Sequence, residues 1–139
     1  MNNFILTEQG VTTLDVSNLE FEIGIILPEK YKEHILKFNG GCPDVKDCFK
    51  GKVIAHFYPI KYGKSPLEKT YDRIKDLLPN KFLNFAYDGG GNPFCFNLND
   101  GINYGKIYYC PMDMGEVEPE FLANSFEEFM NGLTEDCDY

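Results

Sequence analysis

Residues 85–98 read FAYDGGGNPFCFNL. Two aromatic, β-prone segments are joined by three consecutive glycines, and this narrows what the chain can build. Such a loop either turns two strands back on each other or cradles a phosphate ahead of a helix. The phosphate cradle needs glycines that run straight into a helix N-terminus, so that free amides and the helix dipole face the anion. Here an aromatic segment without a cap follows, and the chain contains neither Gly-Lys-Ser/Thr nor GxGxxG. The expectation is a strand, a turn and a strand. Asp88 opens the turn, Gly89, Gly90 and Gly91 supply positive φ, and Pro93 starts the second strand.

Other short strands are expected at Val53 to Ile60, at Phe82 to Tyr87, at Phe94 to Leu98 and at Lys106 to Cys110. They are separated by glycine, asparagine and aspartate turns, as in an antiparallel meander. Four helices are expected around them. Ser17, Ser65 and Ser125 each stand three residues before a glutamate, the capping-box spacing. The first of these helices covers about 15–23 and ends at Gly24. The second takes Pro66 at its first position and carries Leu67, Tyr71, Ile74, Leu77 and Leu78 as an apolar stripe before Pro79. The third puts Phe126, Phe129, Met130 and Leu133 on one face. A fourth helix starts at Pro28, repeats Tyr31, Ile35 and Phe38, and ends at Asn39-Gly40-Gly41. At 139 residues, this is one α+β domain: a central antiparallel meander flanked by about four helices, with its core at about 14–133 and an acidic, frayed tail at 134–139.

The two histidines, His34 and His56, have no nucleophile beside them, and no HExxH, DxDxDG or zinc-deaminase pattern is present. The reading is therefore of a protein that is not an enzyme and carries no cofactor or metal. The five cysteines show no CxxC spacing and are expected to remain thiols, with Cys95 and Cys110 packed in the core. A Cys42/Cys48 metal half-site lacks partner ligands. No basic leader or long apolar run is visible at Met1 to Gly10, so the protein is expected in the cytoplasm, off the membrane.

Net charge is −9, which argues against nucleic-acid and anionic-membrane partners. The charge is unevenly spread. Residues 1–106 hold 13 basic and 13 acidic side chains, whereas residues 107–139 hold nine acidic ones and no lysine or arginine.

Five segments, taken together and in order, resemble the SUKH superfamily, in the branch related to the fungal cell-wall synthesis regulator. They are Leu27-Pro28-Glu29-Lys30-Tyr31 leading to Asn39-Gly40-Gly41; Phe85-Ala86-Tyr87-Asp88-Gly89-Gly90-Gly91-Asn92; Phe94-Cys95-Phe96-Asn97-Leu98; Gly105-Lys106-Ile107-Tyr108-Tyr109; and Ala123-Asn124-Ser125-Phe126-Glu127-Glu128-Phe129. The chain departs from that pattern at Asn92 and Asn97, where relatives often carry an acid, and at Cys110-Pro111-Met112-Asp113, where Trp and His are frequent. The resemblance implies a small α+β domain in which the glycines form a structural hairpin. It also implies an immunity protein that binds and neutralises a cognate bacterial toxin, such as a nuclease, of a polymorphic or contact-dependent system. The alternative it leaves open is an intracellular regulatory or scaffold module, and the oligomeric state, monomer or weak dimer, is open too. On the toxin reading, Asp113, Glu116, Glu118 and Glu120, with Glu127 and Glu128 nearby, are the candidate partner-binding residues, facing a basic surface.

Overall fold

The computed structural model describes residues 3–113 and 115–137. In chain order its elements are β1 (Phe4–Ile5), α1 (Thr13–Ile23), α2 (Glu29–Lys37), β2 (Cys42–Pro43), β3 (Cys48–Phe49), β4 (Lys52–Val53), β5 (His56–Phe57), α3 (Leu67–Ile74), β6 (Phe82–Tyr87), β7 (Pro93–Asn97), β8 (Ile107–Tyr109), β9 (Glu120–Ala123) and α4 (Phe126–Asn131). Strands β5 to β9 form one antiparallel sheet in chain order, while β1 pairs with β2 and β3 with β4. The architecture is the expected α+β meander with four α-helices.

Register answers the question of the glycines. Tyr87 faces Pro93 and Phe82 faces Asn97 across a β6–β7 hairpin, and no helix follows Gly91. Of the three glycines only Gly91 takes positive φ, at +84°. Asp88 holds the turn instead: its carboxylate accepts the Gly90 amide at 3.0 Å, the Asn92 amide at 2.8 Å and the Tyr109 hydroxyl at 2.6 Å. Partial burial pushes the Asp88 carboxyl up, but these donors outweigh it and hold the group below the usual carboxylate range. Asn92 passes the connection on by accepting the Met112 amide at 2.9 Å.

Alternation along the strands sorts the core onto two faces. Leu83, Phe85, Phe94, Phe96 and Ile107 belong to the main cluster, into which α2 sends Tyr31 and Ile35 and α4 sends Phe126 and Phe129. Phe82, Cys95 and Cys110 form a smaller cluster with Leu78, under Ile74, Tyr108, Met112 and Val117. Both cysteines expected in the core are fully buried there.

Helix ends differ from the sequence reading in instructive ways. The cap of α1 is Thr12, which forms a full capping box with Asp15, and Ser17 lies exposed inside the helix. Starting at Thr13 brings Val16 onto the buried face beside Leu19, a contribution that a start at Ser17 would forgo. Gly24 ends the helix in the left-handed region, as expected. At α3 the cap position falls on Pro66, so Ser65 caps nothing, and Glu68 accepts the Lys61 amide instead. The chain then tightens into a 3-10 turn, Lys75–Leu77, which leaves Leu77 exposed while Leu78 is buried. Pro28 is likewise the cap of α2 rather than its first residue. At α4 the Ser125 hydroxyl does accept the Glu128 amide, but the Glu128 carboxylate reaches one residue further back, to the Asn124 amide.

Asn39-Gly40-Gly41 has more to do than end α2. The Asn39 side chain is buried and spans two segments, donating to the carbonyls of Gln9 (2.8 Å) and Ile60 (3.0 Å) and accepting the Ile60 amide (2.7 Å). Gly40 has φ +74°, and a Cβ there would lie 2.9 Å from the Pro59 side chain.

Three expectations give way. The strand at Val53 to Ile60 is broken: β4 turns back on β3 through Lys50 and Gly51, both at positive φ, and only His56 and Phe57 join the large sheet. The segment leading into α4, where no strand was expected, contains β9. The cysteines are not all thiols, because Cys48 and Cys137 form a disulfide across 89 residues. Thr134 also exchanges main-chain hydrogen bonds with Cys48 at 2.9 and 3.0 Å. The tail as far as Cys137 is therefore fastened to β3 rather than frayed; Asp138 and Tyr139 lie outside the described residues.

Candidate protein-binding surface

The acidic quarter of the chain folds as a loop, β9 and α4. β9 pairs with β8, placing Glu120 opposite Tyr109 and Phe121 opposite Tyr108. Leu122 and Ala123 turn into the core, which leaves Glu120 and Phe121 outside. Lysines from earlier in the chain close on this edge. Lys52 pairs with Glu120 at 3.2 Å and stands 4.9 Å from the Tyr109 ring. Lys50 donates to the Leu122 carbonyl at 2.9 Å, and both Lys50 and Lys106 lie about 6 Å from the Phe121 ring.

The six candidate acids therefore have different surroundings. Asp113, Glu116 and Glu118 are exposed and make no ion pair among the described residues, and Met114 between them lies outside those residues. Glu120 is committed to Lys52. Glu128 serves the α4 cap, where the Asn124 amide holds its carboxyl below the usual range. Glu127 lines a groove between α2 and α4 of about 580 Å³, together with Phe4, Lys30, His34, Phe126 and Met130.

That groove was not legible as a site in the sequence. His34 forms part of its wall, within ring contact of Phe4, Phe57 and Phe126. Its Nε2 is buried without a hydrogen-bond partner. Burial, with the Lys37 charge adding to it, pushes its pKa down to about 4. A neutral imidazole sharing an aromatic cluster fits a structural role. The lysines around Phe121 were missed as well. The one signal for them is Gly51, which permits the tight two-residue turn that brings Lys50 and Lys52 to this edge.

Asp47, Cys48 and Cys137 place one donor atom each within 4.8 Å of one another. Both sulfurs are spent in the disulfide, so the cluster offers a metal no thiolate. No helix among the described residues is long and apolar enough to cross a membrane.

Residues 10–132 match the model of the SMI1 / KNR4 family (SUKH-1). The chain is also similar to the SPbeta prophage-derived uncharacterized protein YokK of Bacillus subtilis (strain 168). The two are 28% identical over 150 residues, covering 90% of this chain and 76% of that protein.

Proposed function

This chain belongs to the SMI1 / KNR4 family (SUKH-1), and from that premise we propose that it is an immunity protein that binds and neutralises a toxin. Such a protein needs no catalysis of its own. It needs a rigid frame and a surface complementary to one partner. The aromatic core supplies the frame. The observation that carries the proposal is the charge of the last quarter of the chain: nine carboxylates and no cation after Lys106, with Asp113, Glu116 and Glu118 exposed and unpaired among the described residues. A toxin that acts on nucleic acid carries a basic surface, and carboxylates seated there speed encounter and block the phosphate site.

Glu120 and Glu128 are poor probes of this surface, because their reversal would disturb Lys52 and the α4 cap. The test reverses Asp113, Glu116 and Glu118 to Lys together and scores survival when the candidate toxin encoded beside the gene is co-expressed. Association with the purified toxin is then followed by stopped flow at several ionic strengths. Protection is expected to fail with no change in melting temperature. The wild-type on-rate is expected to fall by about tenfold or more from low to physiological salt. Full protection by the reversed variant, with a salt-independent on-rate, would move the interface elsewhere.

A further inference from the structure

Arg73 is the only arginine in the chain. It stands exposed on α3 and makes no ion pair or hydrogen bond among the described residues. It lines a hollow of about 320 Å³ between α3 and the β6–β7 turn, whose other walls include Tyr58, Tyr87, Thr70, Ser65 and Met112. Volumes of this order sit at the small end of small-molecule sites.

Three observations make this more than a dent in the surface. Thr70 is 4% exposed, yet its hydroxyl has no hydrogen-bond partner. A buried hydroxyl left unpaired is costly, and one sealed from solvent as this is can be met only by a ligand that opens the wall of the hollow. The Tyr58 and Tyr87 rings lie 4.8 Å apart, tilted by 47°, and give the hollow an aromatic side. The Arg73 charge also acts on the Tyr58 hydroxyl, easing the upward push that burial gives that phenol. The hollow thus combines a free guanidinium, an unused buried hydroxyl and two aromatic rings.

We propose that this hollow binds a small aromatic carboxylate, with Arg73 gripping the carboxylate, the Thr70 hydroxyl completing its hydrogen bonds, and Tyr58 and Tyr87 packing on the ring. One planar guanidinium fork matches one carboxylate in a bidentate pair. A phosphate dianion would want further cations, and a protein of net charge −9 repels multiply charged anions more strongly. The planar body follows from the tyrosine pair. The acidic segment reaches this hollow only at Met112, and the site's existence does not depend on the toxin-binding proposal.

The test titrates the full chain with phenylacetate and follows amide shifts by NMR and heat by calorimetry. Benzyl alcohol and inorganic phosphate serve as probes that carry the ring alone and the anion alone. Saturable shifts are expected at residues 65–74 and 87–93, with a dissociation constant in the millimolar range or tighter. Both control probes are expected to bind at least about tenfold more weakly, and Arg73→Gln to lose about tenfold or more. Thr70→Val is expected to weaken binding while the melting temperature holds or rises, since it removes an unpaired buried hydroxyl. Absence of saturable shifts up to the solubility limit would overturn the proposal. So would equal binding by Arg73→Gln, or phosphate binding as well as phenylacetate.

Discussion

Phe126 meets Tyr31, His34, Phe57, Phe85 and Phe96 at ring separations between 5.4 and 6.5 Å, so one side chain ties α4 to α2 and to three strands of the sheet or its edge. Phe126→Ala is expected to cost about 3–5 kcal/mol, the range for truncating an enclosed aromatic. Urea titration checks this, and a loss under about 1 kcal/mol would mean that the ring is not where the packing depends on it. His34 in the same cluster makes stability depend on pH. Its folded pKa of about 4 lies below the ordinary imidazole value of 6.5, so the unfolded chain takes up a proton first as pH falls. Stability is therefore full above pH 6.5 and is lost progressively toward pH 4, by at most about 3 kcal/mol. His34→Gln is expected to flatten that limb of the pH curve, measured as denaturant midpoints. An unchanged slope would show that the imidazole is free to charge in the folded protein. The buried face of α2 was legible in the sequence. The aromatic setting of His34 was not, because β1, β5 and α4 bring Phe4, Phe57 and Phe126 to it from distant positions.

The elements themselves were legible where the sequence repeats a period. β6 and β7 are unmistakable because apolar residues fill both faces on either side of the Asp88 turn. α2 and α4 show in Tyr31 and Ile35 and in Phe126 and Phe129. The reading failed where two signals compete or where an element is too short to carry a pattern. Two capping pairs, Thr12/Asp15 and Ser17/Glu20, offer rival starts to α1, and burial of Val16 decides for the earlier one. Thr12→Ala is therefore expected to cost about 1 kcal/mol, and Ser17→Ala, in an exposed mid-helix position, close to nothing. Thermal melts of the two variants side by side measure the difference, and the reverse order would restore the later start. β9, four residues with a glutamate and an exposed phenylalanine, has neither alternation nor β-branched residues to announce it. β5 holds two residues in the sheet, and only Ile54 and Ala55 separate it from the β3–β4 hairpin before it.

Across the whole molecule, charge is separated along the chain but partly remixed in space. The sequence divides cleanly at Lys106, yet Lys50, Lys52 and Lys106 pack against β9. The acidic segment is thereby neutralised in part beside the sheet, while Asp113, Glu116 and Glu118 stay exposed. Linear order shows that carboxylates outnumber cations after Lys106. It does not show which of them a lysine from 70 residues earlier has already engaged. The candidate surface was for that reason legible in its sign and not in its membership.

The link between Cys48 and Cys137 closes a covalent ring. The ring encloses β3 through β9, α3 and α4, while β1, α1, α2 and β2 lie outside it as a linear arm. A protease cut within the ring opens it without releasing anything. Trypsin cleavage after the exposed Lys64 is thus expected to leave both pieces in one band on a non-reducing gel, and to separate them only when a thiol reductant is added. In Cys137→Ser the same cut is expected to free the pieces at once under denaturing conditions, in a protein about 2–4 kcal/mol less stable. Separation of the wild-type pieces without reductant would show that the ring is open. Closed, it makes the part of the molecule that carries the sheet and the acidic edge tolerant of a broken backbone, a tolerance the arm does not share.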